Sequence, residues 1–141
     1  MKYTDDELLN DLKEAGLRIT PHRFLVYKII SKSRQPLSVK TIIEKADRKE
    51  YIDKATIYRN LLSLYEHGLL KKIDINNGQS YYSLETGEVS SQFVCSKCHN
   101  IEKVEGVPFD DTIKKMMKKS KKFKGMELNM IEIYGICQGC K

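Results

Sequence analysis

A chain of 141 residues with 40% hydrophobic residues has enough apolar material for one domain or two small ones. Its formal charge of +6 and sequence pI of about 9.1 point to an anionic partner, nucleic acid or a membrane surface. No apolar run reaches the roughly 18 residues of a membrane span. The acidic N-terminus, MKYTDDELLND, has no apolar signal-peptide core, so a cytoplasmic protein with no membrane partner is expected. In that reducing compartment the four cysteines indicate metal or redox chemistry rather than disulfides.

Thr4 and Glu7 fit the S/T-x-x-E capping box that opens a helix. Leu8, Leu9, Leu12 and Ala15 make its apolar face, and Gly16 ends it. Thr20 caps a second helix with Pro21 at its first position, where a missing amide proton costs nothing. Phe24, Val26, Tyr27, Ile29 and Ile30 supply core contacts, and SKSRQP is a turn. Ser38 caps a third helix, with Leu37 and Ile42 as the hydrophobic staple across that cap. Ile42, Ile43 and Ala46 are expected to face inward.

The stretch YIDKATIYRNLLSLYEHGLLKKI, residues 51–73, carries the fourth helix. The Asp53 carboxylate can accept the unpaired amide protons of its first turn. Ile57, Leu61 and Leu64 form one apolar stripe, and Gly68 is placed for a left-handed cap. Lys54, Thr56, Tyr58, Arg59, Asn60 and Ser63 lie wholly or partly off the stripe. Lys, Thr, Tyr and Arg near a helix start can reach phosphates, base edges and thymine methyls. The bland alternative is an ordinary amphipathic surface helix. KKIDI and SYYSL flank NNGQ, a β-hairpin whose Asn77-Gly78 supplies positive backbone angles. Helices followed by a hairpin give the order of a winged helix-turn-helix, whose second motif helix enters the major groove. His22 and His67 have no ligand at metal spacing and read as surface or cap-adjacent side chains.

ETGEVSS is polar and aperiodic, and the domain junction is placed there. Beyond it QFV leads into Cys95-Ser-Lys-Cys98, IEKVE suits a short strand, and residues 110–122 suit a helix with Ile113, Met116 and Met117 on one side. Residues 126–134 suit a strand that runs toward Cys137-Gln-Gly-Cys140. Each CxxC pair can put two thiolates on one turn, and two pairs complete a closed, structural four-cysteine zinc site. The 38 residues between the pairs must then fold as a unit whose ends meet. Iron suits the same spacing. Four unrelated thiols are the bland reading. Cys95 to His99 also spells CxxCH, the c-type haem attachment pattern, which would make the chain a haem or iron electron carrier. That reading leaves the second CxxC without a role. Seven lysines crowd KKMMKKSKKFK, residues 114–124, either a nucleic-acid patch or a solvated helix face.

The segments RITPHR at 18–23, DKATIYRNLLSLYEHGLL at 53–70, FVCSKCHNIEKVE at 93–105 and IEIYGICQGC at 131–140 resemble the ferric uptake regulator family along nearly the whole chain. The resemblance implies an N-terminal winged helix, a C-terminal α/β dimerisation domain and a homodimeric repressor of palindromic DNA. It implies Tyr58 and Arg59 as DNA contacts and the four cysteines as a structural zinc site. Regulatory metal sites of the family are rich in histidine, and this chain departs from them. It has Val89-Ser90-Ser91-Gln92 before the first CxxC, Gln35 before Pro36, and Leu128 and Asn129 in the last strand. Lys103 stands where some members use aspartate, and His99 where glycine is usual.

The combined expectation is an α+β chain, with a winged-helix DNA-binding domain at 1–84 and a dimerisation domain at 85–141. One structural zinc per chain is held by Cys95, Cys98, Cys137 and Cys140. Lys54, Thr56, Tyr58 and Arg59 meet the groove of double-stranded DNA. Arg18, Arg23, Lys71 and Lys72 meet phosphates. No paired nucleophile and base and no phosphate loop is present, so neither an enzyme nor a small-molecule substrate is expected. The zinc-loaded homodimer is expected to need no regulatory iron or manganese. The rival within this class is a switch working through oxidation of the zinc thiolates.

Overall fold

In the computed structural model, which describes residues 3–75, 78–106, 110–124 and 130–141, α1 (Asp5–Glu14) begins with the reciprocal capping box. Thr4 Oγ1 accepts the Glu7 amide at 3.2 Å, and Glu7 accepts the Thr4 amide at 2.9 Å. Each following helix also starts at a capping side chain. Thr20 accepts the Arg23 amide before α2 (Pro21–Lys32), and Ser38 the Thr41 amide before α3 (Val39–Asp47). Asp53 accepts the Thr56 amide at 2.7 Å before α4 (Lys54–Glu66).

The apolar sides of these helices share one core. Leu8, Leu12, Val26, Ile42, Ile57, Leu61 and Leu64 are almost wholly removed from water, each contributing about 1.5–3 kcal/mol relative to exposure. Of the residues expected inside α2, Val26, Tyr27 and Ile30 are buried, while Phe24 and Ile29 pack at the core's edge. The helices carry a small antiparallel sheet in the order β1-β3-β2, from β1 (Leu37–Ser38), β2 (Leu70–Asp74) and β3 (Ser80–Leu84). The two-residue β1 is too short to show an alternating pattern. It exists because Leu37 pairs with Tyr82 across the sheet. Gly78 adopts the positive φ expected of the hairpin turn, and Asn77 lies outside the described residues.

The chain divides into two units, Met1–Thr86 and Gly87–Lys141. The second is a three-stranded sheet in the order β5-β4-β6, from β4 (Ser90–Cys95), β5 (Ile101–Val104) and β6 (Met130–Gly135). β5 runs antiparallel to β4, and β6 parallel to it. β4 begins earlier than its apolar residues suggest. Ser90 and Ser91 are buried within the sheet, and Ser91 Oγ donates to the Val104 carbonyl at 2.7 Å. β6 begins at Met130, and residues 126–129 of the expected strand lie outside the described residues.

Between β5 and β6 lies α5 (Asp110–Lys119). It stops short of the expected Lys122 because Ser120 Oγ accepts the Phe123 amide at 3.0 Å, a local bond that competes with the helix ladder. Ile113 and Met117 are half-buried, but Met116 is 64% exposed and does not share their side of the helix as expected. Among the described residues, no helix is long and apolar enough to cross a membrane.

Candidate nucleic-acid interface and metal centre

The Asp53 cap fixes the start of α4 and with it the side chains of the first turn. The Thr56 amide holds the Asp53 carboxyl below the usual carboxylate range. Ile57, Leu61 and Leu64 face the core, so the 3.6-residue period turns Lys54, Tyr58 and Arg59 to solvent, with Tyr58 54% exposed. Thr56 is half-buried and accepts from Arg59 Nη2 at 3.1 Å. Asn60 is buried, and its Nδ2 donates to the Thr56 carbonyl at 3.0 Å, so it serves the helix rather than a ligand. Leu62 is 53% exposed one turn beyond Tyr58 and extends this outward face. Its exposure is the signal that sequence reasoning passed over.

The expected phosphate contacts divide. Arg18 and Lys72 are exposed. Arg23 is half-buried, and its Nη1 donates to the Arg18 carbonyl at 2.6 Å, so part of its guanidinium ties down the approach to α2. Lys71 is a correction. It is only 6% exposed, and its Nζ lies 3.8 Å from Glu85. Ile73 and Ile75, at i+2 and i+4, share its face of the strand and are buried, which carries Lys71 inward. His22 pairs with Glu50 at 3.6 Å, and His67 Nδ1 lies 2.8 Å from the Ser63 carbonyl at the end of α4. Both are cap-adjacent as expected, His22 in the first turn of α2 and His67 at the C-cap of α4, though the Glu50 partner of His22 comes from a distant part of the chain.

The four cysteines come together because β4 and β6 are parallel neighbours. Cys95 is paired with Gly135, and the Ser96 amide donates to the Gly135 carbonyl at 2.8 Å, so both CxxC turns emerge at the same end of the sheet. All four Sγ atoms lie within 4.8 Å of one another, with Cys98 and Cys137 3.6 Å apart. A tetrahedral zinc with bonds of roughly 2.3 Å requires sulfur separations of about 3.8 Å. The cluster therefore suits a metal ion of that size.

The amides of Cys98 and Cys137 donate to Cys95 Sγ and lower its pKa to about 5. The neighbouring sulfurs of Cys137 and Cys98, followed by burial, push Cys140 up to about 12. At Cys98 the Asn100 amide favours the thiolate, but desolvation and the thiols of Cys95 and Cys137 prevail and raise it. Four thiolates at this spacing repel one another, and a divalent cation is the group that removes the conflict. His99 takes a left-handed φ of 65° and donates its amide to the Cys95 carbonyl, a turn role beside the sulfurs. Because Cys95 and Cys98 cluster with Cys137 and Cys140, the geometry favours a four-sulfur site over haem attachment at CxxCH.

Ahead of the first CxxC, three buried polar residues bond within the sheet. Ser90 Oγ donates to Gln92 Oε1 at 2.9 Å, while Ser91 is held by Val104. Lys103, the register partner of Gln92, has its Nζ 3.7 Å from Glu105.

The ferric uptake regulator family model matches residues 14–134. The chain belongs to the ferric uptake regulator family. It is 32% identical over 132 residues to the ferric uptake regulation protein of Legionella pneumophila, covering 92% of this chain and 96% of that protein. It is 29% identical over 135 residues to the peroxide operon regulator of Bacillus subtilis, covering 95% and 91%. The fold matches the Helicobacter pylori ferric uptake regulator with a TM-score of 0.79 at 18% identity, covering 99% of this chain and 97% of that one. The architecture is thus that of the ferric uptake regulator family, a winged helix followed by an α/β domain, and the chain is a transcription regulator of that family.

Proposed function

We propose that the chain binds palindromic double-stranded DNA as a homodimer stabilised by one zinc per protomer, and that the zinc-loaded dimer needs no further metal to do so. The observation that carries this reading is the outward face of α4. A capped helix on a winged-helix unit turns Lys54, Tyr58 and Arg59 to solvent beside its N-terminus. Arg59 offers a planar donor fork for a purine edge, and the Tyr58 ring offers an apolar surface for a thymine methyl. Thr56 steers the Arg59 fork. Lys54, Arg18 and Lys72 supply phosphate contacts that set register without reading sequence.

Cys95, Cys98, Cys137 and Cys140 would hold the zinc. When bound, it neutralises the thiolates and ties the ends of β4 and β6 together. Homodimerisation is supported by Phe93 and Ile133, register partners on one face of the second sheet that are 47% and 42% exposed. The regulatory part rests on chemistry at the start of β4. Serine hydroxyls and a glutamine amide are weak ligands for iron or manganese, and the Lys103 ammonium nearby adds a positive charge. A redox-responsive form of this reading rests on the exposed Cys98 sulfur, 3.6 Å from Cys137. Zinc release under mild peroxide with loss of DNA binding would favour it.

The test is titration of an operator selected from random DNA, first in a chelator that spares the zinc, then with excess ferrous or manganous ion. Affinity is expected to change by less than tenfold, about 1.4 kcal/mol. A larger tightening overturns metal independence. Arg59→Ala is expected to weaken specific binding by roughly 1–3 kcal/mol and relax preference at one position. If neither Arg59→Ala nor Tyr58→Ala has an effect, α4 is not the reading helix.

A further inference from the structure

We infer that the lysine face of α5 is a second, sequence-independent contact for the phosphate backbone of duplex DNA, separate from α4. This rests on the DNA-binding reading above and extends it to the other unit of the chain. At 3.6 residues per turn, Lys114, Lys118, Lys115 and Lys119 sweep a continuous arc of about 140° along α5. Lys121, Lys122 and Lys124 follow directly. All seven are exposed, and no acidic residue interrupts positions 112–124. Among the described residues, none of these lysines lies within ion-pair distance of a carboxylate.

Two like-charged pairs stand at i,i+4, Lys114 with Lys118 and Lys115 with Lys119, an arrangement that weakens a helix. The negative helix C-terminus offsets part of this for Lys118 and Lys119 in the last turn, and Asp110 and Asp111, four residues before Lys114 and Lys115, offset part of it at the other end, which still leaves α5 with two more positive than negative charges. Nor do the lysines frame a large buried face. Among the described side chains of α5 none is buried, and Ile113 and Met117 are only half-buried.

Charge density favours a polyanion as the partner. From Lys114 to Lys119 four charges lie within about 7.5 Å of rise, about 2.5 Å apart along the axis. Each strand of duplex DNA presents one negative charge per about 3.4 Å of the duplex axis, dense enough to meet several of them at once. An anionic lipid surface fits less well, because an interfacial helix needs a broad apolar side to insert. Here Ile113 and Met117 are half-buried in the fold, leaving Met116 on the helix and Phe123 beyond it as the strongly exposed apolar side chains.

The experiment uses the full zinc-loaded chain and a variant carrying K114Q, K115Q, K118Q and K119Q. Glutamine matches lysine in helix propensity, so circular dichroism should be unchanged. Affinity for a random-sequence duplex and for a selected operator is measured across a salt series. The slope of log K against log salt changes by about 0.9 for each phosphate no longer neutralised. The glutamine variant is therefore expected to be shallower by about 2 or more on both duplexes, with the preference for operator over random DNA preserved. The matching Lys→Arg variant should retain the parental slope.

A slope changed by less than about 0.5 while the parent still prefers its operator overturns this inference and leaves the α4 reading standing. Arg59→Ala behaves in the opposite sense, losing preference with a slope change of at most about 1. Absence of binding to any duplex by the parent overturns both readings. Phosphatidylserine vesicles that capture the parent but not the glutamine variant, with DNA slopes equal, would assign the face to lipid and overturn the DNA contact.

Discussion

Lys71 and Lys72 are adjacent, identical and opposite in environment. Lys71 shares the strand face of the buried Ile73 and Ile75 and reaches Glu85 at 3.8 Å, while Lys72 points to solvent. Lys71→Ala should therefore destabilise the chain by roughly 1–3 kcal/mol, by leaving a gap and removing a partner of Glu85, without changing the salt dependence of DNA binding. Lys72→Ala should leave stability within about 0.5 kcal/mol and make the salt slope shallower by about 1. Urea denaturation together with binding at several salt concentrations checks both. A shallower slope with intact stability for Lys71→Ala would mean that its ammonium does reach phosphate. The inward turn of Lys71 was legible in the alternation of residues 71, 73 and 75, but reading the hairpin lysines by charge alone conceals it. Met116 belongs to the same class, since sharing an apolar type with Met117 does not give it the same direction.

At the scale of elements, what could be read from the chain was local chemistry. Thr4, Thr20, Ser38 and Asp53 each cap the helix expected of them, because a cap needs only a side-chain oxygen and an amide a few residues away. Gly68 closes α4 with a φ of +79°. Its amide bonds the Tyr65 carbonyl, and the Leu69 amide bonds the Leu64 carbonyl. A Cβ there would meet no atom within 4 Å, so Gly68→Ala tests the backbone alone. A left-handed alanine costs about 1–2 kcal/mol, partly offset by a stiffer unfolded chain, and a net loss of about 1 kcal/mol is expected in thermal or urea unfolding. Unchanged stability would show that the cap relaxes at no cost. The strand β1 and the parallel pairing of β4 with β6 were not legible in this way. Both depend on partners far along the chain, Tyr82 for Leu37 and Ser90–Cys95 for Met130–Gly135.

For the molecule as a whole, the proposed zinc joins two strand ends whose cysteines are separated by 38 residues. Cys137→Ser should abolish zinc retention, melt the second unit and leave a monomer that keeps the helical signal of the first, because metal binding and folding are one equilibrium there. Elemental analysis, sedimentation and circular dichroism check this. A zinc-free variant that still sediments as a folded dimer would remove the structural role. That the four cysteines would gather in one cluster was legible from their equal spacing. Which strands would bring them together was not, since spacing says nothing of sheet order. That sheet order has a further consequence. β5 leaves the sheet at the end where β6 enters it, and only β4 lies between them. The gap to be crossed is two strand spacings, about 10 Å. In sequence 25 residues, numbered 105–129, connect the two strands, a length that would reach roughly 80 Å if extended. Joining β5 to β6 therefore needs only a small part of that length, which leaves room in the connection for α5 and its lysine face while the strand ends and their sulfurs stay in register.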